Sequence, residues 1–193
     1  FDFMINHINE FGNIYGQSFY NYPYNTGTKI NYDIDFLWST QGDLNSDGEI
    51  QEQFEGVNLD AIDIHEIKQI PNGNYMAFVP DLMLGPIPQG NWSFYYQAIG
   101  YQADGVTNEY PWIGMRIVEW DESGNEVWNW NPFEHFTMDD YDAYGGVWWN
   151  FNATSHDWMH SNAFHFDEEE SVIYVSHRHL SRISKIAYPS GDV

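Results

Sequence analysis

Apolar and polar residues alternate over short distances along this chain. The segments NIYGQSFYN, KINYDIDFLW, AIDIHEIKQI, NYMAFVPDL, WSFYYQAIGY, WIGMRIVEW, EVWNWNPF, SVIYVSHR and RISKIAYP are short and rich in aromatic and β-branched residues. That is the pattern of strands lying on a packed sheet. Asn-Gly, Gly-Asn and Ser-Gly breakers stand between them, and such pairs mark turns. No stretch carries the period of an amphipathic helix. One helical turn is expected over 137–141, where Thr137 can act as an N-cap. The pattern predicts an all-β protein.

Two kinds of hairpin recur. NEFGNIY (9–15), DESGNEVW (121–128) and YPSGDV (188–193) each place a polar run before a glycine and then a polar residue. They read as tight turns between the outer two strands of a four-stranded unit, with glycine supplying a positive φ. HEIKQIPNGNYMAFV and NAFHFDEEESVIYVS are strand–turn–strand units of the other kind. Alternating hairpins of these two kinds spell out the blades of a β-propeller. At ~40–50 residues per blade, three to four blades fit in this chain. No linker divides it, so residues 1–193 are read as one domain. The third repeat stops at Val193 within its turn, and a strand edge left unpaired there is unfavourable. The expectation is therefore a partial propeller, truncated at both ends.

Composition narrows the partners. The formal net charge is -23, from 6 Lys+Arg against 29 Asp+Glu. Such a field repels nucleic acid and anionic membrane surfaces. Hydrophobic residues make up 42% and aromatics 19%, too many for a disordered chain. There is no cysteine, so disulfides and thiol chemistry are excluded. No apolar run approaches the ~20 residues that cross a bilayer as a helix, so no membrane insertion is expected. Asn91 and Asn152 stand in glycosylation sequons, a pattern that also arises by chance.

Two groups of residues could carry chemistry. DLNSDGEI (43–50) matches the opening half of an EF-hand-like loop. Asp43, Asn45 and Asp47 would give side-chain oxygens to a structural Ca2+, Gly48 the bend and Glu49 its carbonyl. The bidentate glutamate of such a loop is replaced by Phe54, with Glu52 and Glu55 nearby. A calcium loop and a plain acidic turn both fit. The second group is cationic. His65 lies in Asp-Ile-His-Glu, His160 follows Asp157-Trp158-Met159, and Arg178 stands between His177 and His179. Imidazoles and a guanidinium converging from different blades on a central channel would suit a compact oxyanion, since arginine offers a planar fork of donors. A zinc site built from three imidazoles is the alternative, opposed by the guanidinium beside it. For His7, His135 and His165 the expected setting is packed or solvated.

The run DWMHSNAFHFDEEESVIYVSHRHLSRISKI resembles the arylsulfotransferase family, the PAPS-independent aryl-sulfate sulfotransferases. Members carry D-[WY]-x-H-x-N-S, an acidic turn, a strand closing on S-S-R-H, and a strand of the I-x-K-I kind. Asp157, Trp158, His160, Asn162, Arg178, His179 and 183–186 are kept, whereas Ala163 and His177 replace serines. DIHEIKQIPNGNYMAFV is similar to the family's H-[DE]-x-x-x-L-P-N-G-N-x-L blade, and RIVEWDESGNEVWNW to its E-x-D-x-x-G-x-V-x-W-x-W blade. The likeness runs from about residue 61 to the end.

The resemblance implies a six-bladed propeller whose channel transfers a sulfuryl group from an aryl sulfate to a phenol through a sulfo-histidine. PAPS and other nucleotides have no part in it. It places His65, His160 and Arg178 on the sulfate, with Asn162 assisting, and puts the nucleophilic histidine beyond Val193. His179 is expected to support the fold. A periplasmic or extracellular setting goes with this reading. A non-catalytic, secreted, calcium-stabilised propeller that acts as a binding scaffold is the alternative, and a calcium-dependent lactonase or hydrolase a further one.

Overall fold

Turn chemistry decides where the chain reverses. In the computed structural model, residues 3–18, 26–40, 62–63, 65–137, 140, 142 and 155–193 are described. The DLNSDGEI loop, with Asp43, Asn45, Asp47 and Glu49, lies outside them. At 9–13 and at 121–125 the chain makes the same turn twice. Asn9 N–H donates to the Asn13 carbonyl (3.0 Å), and Asp121 N–H to that of Asn125 (2.9 Å). Gly12 and Gly124 take φ of 78° and 82°, a region open to glycine. The first side chain caps each turn from within. Asn9 Oδ1 accepts from Phe11 and Asn13 N–H, and Asp121 Oδ1 from Ser123 and Asn125 N–H. The turn after Ala187 uses Gly191 (φ 82°) without such a cap.

The strands form three antiparallel meanders. The first sheet holds β1 (Phe3–Ile8), β2 (Ile14–Ser18), β3 (Thr26–Ile30) and β4 (Phe36–Ser39). The second holds β5 (Ile67–Gln69), β6 (Tyr75–Pro86), β7 (Asn108–Trp120) and β8 (Glu126–Trp130). The two-residue strand β9 (His156–Asp157) pairs in parallel with β7. The third sheet holds β10 (Ser161–Asp167), β11 (Val172–His177) and β12 (Arg182–Ala187). Strands take up half of the described residues, and among these residues none of the sheets closes on itself. The repeated glycine turn opens the first sheet, between β1 and β2, but ends the second, between β7 and β8. It marks a local turn type and has no fixed place in the sheet. Among the described residues, no helix is long and apolar enough to cross a membrane.

The middle sheet is buried on both faces, which explains why YMAFV in β6 is apolar without alternation. Tyr75, Ala77 and Val79 pack with Val118 and Trp120 against Tyr15 and Trp38 of the first sheet. Met76 and Phe78 pack the other way, against Phe164, Ile173, Val175 and Ile186 of the third. Trp38 stacks on Tyr75 at 3.7 Å between ring centroids, and Phe78 meets Phe164 edge-on at 5.4 Å. One carboxylate is buried in this stack. Glu119 accepts from Asn72 Nδ2 (2.9 Å), Asn74 Nδ2 (2.7 Å) and the Tyr188 hydroxyl (2.8 Å). It thereby ties the β5–β6 turn to the end of β12. Burial, and then the adjoining carboxylate, push the Tyr188 hydroxyl up to about 12.

Three segments depart from the expected strands. WSFYYQAIGY forms a short helix, α1 (Ser93–Ala98), at the tip of the β6–β7 hairpin. A strand would turn Phe94 inward with Tyr96, but Phe94 is exposed and only Tyr96 is buried. Tyr96 packs edge-on against Tyr110 and Tyr101, and Gly100 at φ 110° follows the helix. Here packing overrides the strand preference of the aromatics. KINYDIDFLW breaks into β3 and β4, because Asn31 Oδ1 caps a turn by accepting from Asp35 N–H (2.8 Å). Among the described residues of AIDIHEIKQI, strand covers only β5, leaving His65 outside it. At the expected helical turn, Asp140 N–H donates to the Thr137 carbonyl, and Asp140 Oδ2 accepts from Thr137 N–H.

Removing the buried Glu119 carboxylate leaves the part-buried Asn74 amide and Tyr188 hydroxyl without their acceptor. Glu119→Ala is expected to cost about 2–3 kcal/mol, read as a lower urea midpoint with an unchanged m-value.

Candidate functional site

The site begins where the open edges of two sheets meet. β5 and β10 are edge strands of the second and third sheets, and an edge strand leaves backbone groups unpaired. Side chains at the start of β5 take both such groups of Phe164. Glu66 Oε2 accepts its N–H (2.6 Å), and Lys68 Nζ donates to its carbonyl (2.9 Å). Lys68 also pairs with Glu66 and lies 5.2 Å from the Phe164 ring centroid. This clamp sets one edge beside the other. The His65 ring accordingly stands 5.5 Å from the His160 ring, edge to face.

Aspartates brace each imidazole. Asp63 Oδ1 accepts from the His65 backbone N–H (2.9 Å) and meets its Nδ1 at 2.5 Å. Asp157 Oδ2 pairs with His160 Nδ1, and the Asp157 carbonyl faces His179 Nδ1 at 2.7 Å. The His160 and His179 ring centroids are 4.9 Å apart. Asp157 itself is held by β9 on β7, extended by Trp158 N–H to the Ile113 carbonyl (3.2 Å). The corner after it turns sharply, with His160 at φ 46°. The β11–β12 turn sits on that corner: Arg178 N–H donates to the His160 carbonyl (3.2 Å), and His179 N–H to that of Met159 (3.1 Å).

Of the residues expected from sequence, His65 and His160 come into ring contact, and Arg178 is joined to His160 through its backbone. Its side chain is exposed, and among the described residues no carboxylate pairs with it. Asn162 falls where the β10–β11 register shifts between Ser161 and Ala163. Such a bulge re-aims a side chain out of the regular alternation. His179, expected to support the fold, holds the corner through its N–H on the Met159 carbonyl and its Nδ1 beside the Asp157 carbonyl. Alternation along a strand does not apply to it, because β11 ends at His177 and residues 178–181 form a turn. Its imidazole therefore lies against His160. Its place beside His160 and the bracing of His65 by Asp63 did not follow from the sequence. The short spacings Asp63-x-His65 and Asp157-x-x-His160 were the available signal.

The other histidines are built into packing or left at the surface. His177, which stands where the family pattern has serine, is buried, with its Nδ1 2.8 Å from Ser161 Oγ. It lies edge-on to Phe136 at 5.5 Å. Burial, and then the Arg182 charge, push it down to about 4. His156 is buried against Trp112 and is likewise pushed down to about 4 by burial. His135 stacks on Trp130, His7 is tilted against Tyr15, and His165 is exposed. In His65 and His160, pairing through Nδ1 leaves Nε2 as the ring atom that can meet a ligand. Together with an exposed guanidinium, these rings form a set of directional donors that can receive an anion with several oxygens.

A family model described as Arylsulfotransferase (ASST) matches residues 84–193, more than half of the chain. The matched segment includes His160, Asn162, Arg178 and His179, and it begins after His65. Among curated proteins none matches the chain.

The buried histidines make stability depend on pH. An unfolded histidine takes up a proton below its ordinary value of 6.5, but His177 in the folded protein resists until about 4. Its contribution is thus present above pH 6.5 and lost as pH falls towards 4, by roughly 3 kcal/mol in all. Thermal melts across this range should show His177→Gln losing less stability on acidification than the parent protein.

Proposed function

Because the chain belongs to the arylsulfotransferase family, we propose that it supplies the oxyanion-binding part of a site that moves a sulfuryl group from an aryl sulfate to a phenol. The observation that carries this reading is the meeting of His65 and His160, each braced by an aspartate, under the turn that bears Arg178. A transferring sulfuryl group gathers negative charge on three equatorial oxygens, and fixed donors aimed at that charge lower the barrier. Arg178 would bridge two oxygens through its planar fork. His65 and His160 would donate from Nε2, and Asn162 from its amide.

In this reading the S–O bond to the aryl group breaks as an S–N bond forms on a histidine. The aryl oxygen leaves with the electron pair. A phenol oxygen then attacks sulfur, loses its proton, and frees the imidazole. The accepting histidine is proposed to lie outside these residues, as the family resemblance implies. The stacked meanders support a six-bladed propeller with β5 and β10 lining its channel. A structural Ca2+ held by Asp43, Asn45, Asp47 and the Glu49 carbonyl belongs to the same proposal. EDTA should then lower the melting temperature, and added Ca2+ should restore it.

The decisive experiment incubates the intact protein with 4-nitrophenyl sulfate and a phenol acceptor. Nitrophenolate release that needs the acceptor is expected, and Arg178→Ala should lower kcat by about 100-fold or more. Absence of release from the parent protein would overturn the reading.

A further inference from the structure

Asp157, His160 and His179 make a second kind of site possible at the same corner. Each offers one ligand atom within 4.8 Å of those of the other two. We propose that this trio binds a borderline divalent cation of the Zn2+ type, in addition to any anion received by the neighbouring donors.

Three observations carry the proposal. The ligand set is two imidazoles and one carboxylate, a combination that suits zinc and leaves a fourth position open to water. One outer contact is also of the kind a metal site needs: His179 Nδ1 faces the Asp157 carbonyl, which orients that ring for metal binding through Nε2. His160 Nδ1 pairs with the Asp157 carboxylate, so a cation would enter between these two groups in place of the proton they share. Lastly, Asp157 is half satisfied. Its Oδ2 meets His160, while its Oδ1 is shut off from solvent with no hydrogen-bond partner among the described residues. A buried carboxylate oxygen without a partner is costly, and a cation would satisfy it.

The guanidinium that counts against a metal from sequence alone is a weaker objection in the structure. Arg178 touches the corner through its backbone, and its side chain is exposed. The protein's charge of -23 also raises the local concentration of cations. A cation at this corner would take imidazole nitrogens from a bound sulfate, so Zn2+ is expected to inhibit transfer.

The test titrates the purified protein with Zn2+ by calorimetry, with Ca2+ and Mg2+ in large excess to occupy surface carboxylates. Co2+ as a coloured substitute reports the ligand geometry. One equivalent of Zn2+ should bind, with intense visible Co2+ bands of low coordination number. His160→Ala and His179→Ala should each weaken binding by about tenfold or more, and the exposed His165→Ala should leave it unchanged. Near-UV circular dichroism checks that the variants fold. If His160→Ala does not fold, His179→Ala decides alone. Lack of stoichiometric binding under these conditions, binding unaffected by His179→Ala, or faint Co2+ bands of an all-oxygen octahedral site would overturn the proposal. None of these outcomes depends on sulfuryl transfer being observed.

Discussion

A sheet buried on both faces depends on its neighbours for stability. The second sheet sends Tyr75, Ala77 and Val79 one way and Met76 and Phe78 the other. Its strands can therefore exist only between two partners, and this double burial holds the three meanders in one stack. Removing large core side chains such as Phe78 typically costs about 3–5 kcal/mol, a large share of the ~5–15 kcal/mol that stabilises an ordinary domain. The aromatic richness of the chain serves this stack, where wide rings fill the space between sheets and pair edge-on or stacked.

The site inherits its geometry from that stack. Once Phe78 has met Phe164, the edges of β5 and β10 lie close enough for Glu66 and Lys68 to reach the Phe164 backbone. His65 then faces His160 without either belonging to a regular strand. The corner at 157–160 is anchored from the other side by β9 and by the turn at 178–181. Two sheets and two loops converge on a few side chains; aspartate carboxylates orient the His65 and His160 rings, and a backbone carbonyl that of His179.

Much of this was legible in the sequence, and the reasons are local. Gly12, Gly124 and the residues capping their turns announce themselves, because only certain residues make such a reversal. The strands of the second and third sheets follow from β-branched and aromatic runs. The helix at 93–98 was not legible, since its aromatics also suit a strand and the choice is made by where Tyr96 packs. The place of His179 beside His160 was not legible for a related reason: where β11 stops is set by pairing with β12, so alternation does not fix where the turn residues point. His65, His160 and Arg178 stood out through their neighbours. Their convergence, however, depends on contacts between segments far apart in the chain, which no short motif encodes.

The clamp on Phe164 has a bearing on how the protein keeps to itself. An open edge strand invites a strand from another molecule to add to it, and charged side chains are one means of discouraging that. Glu66 and Lys68 go further, because they occupy the outward N–H and carbonyl that an incoming strand would need. At this position β10 no longer offers a template. The contact that aligns two sheets thus also protects an edge from aggregation, and does so where the chain could least tolerate an intruder beside His160.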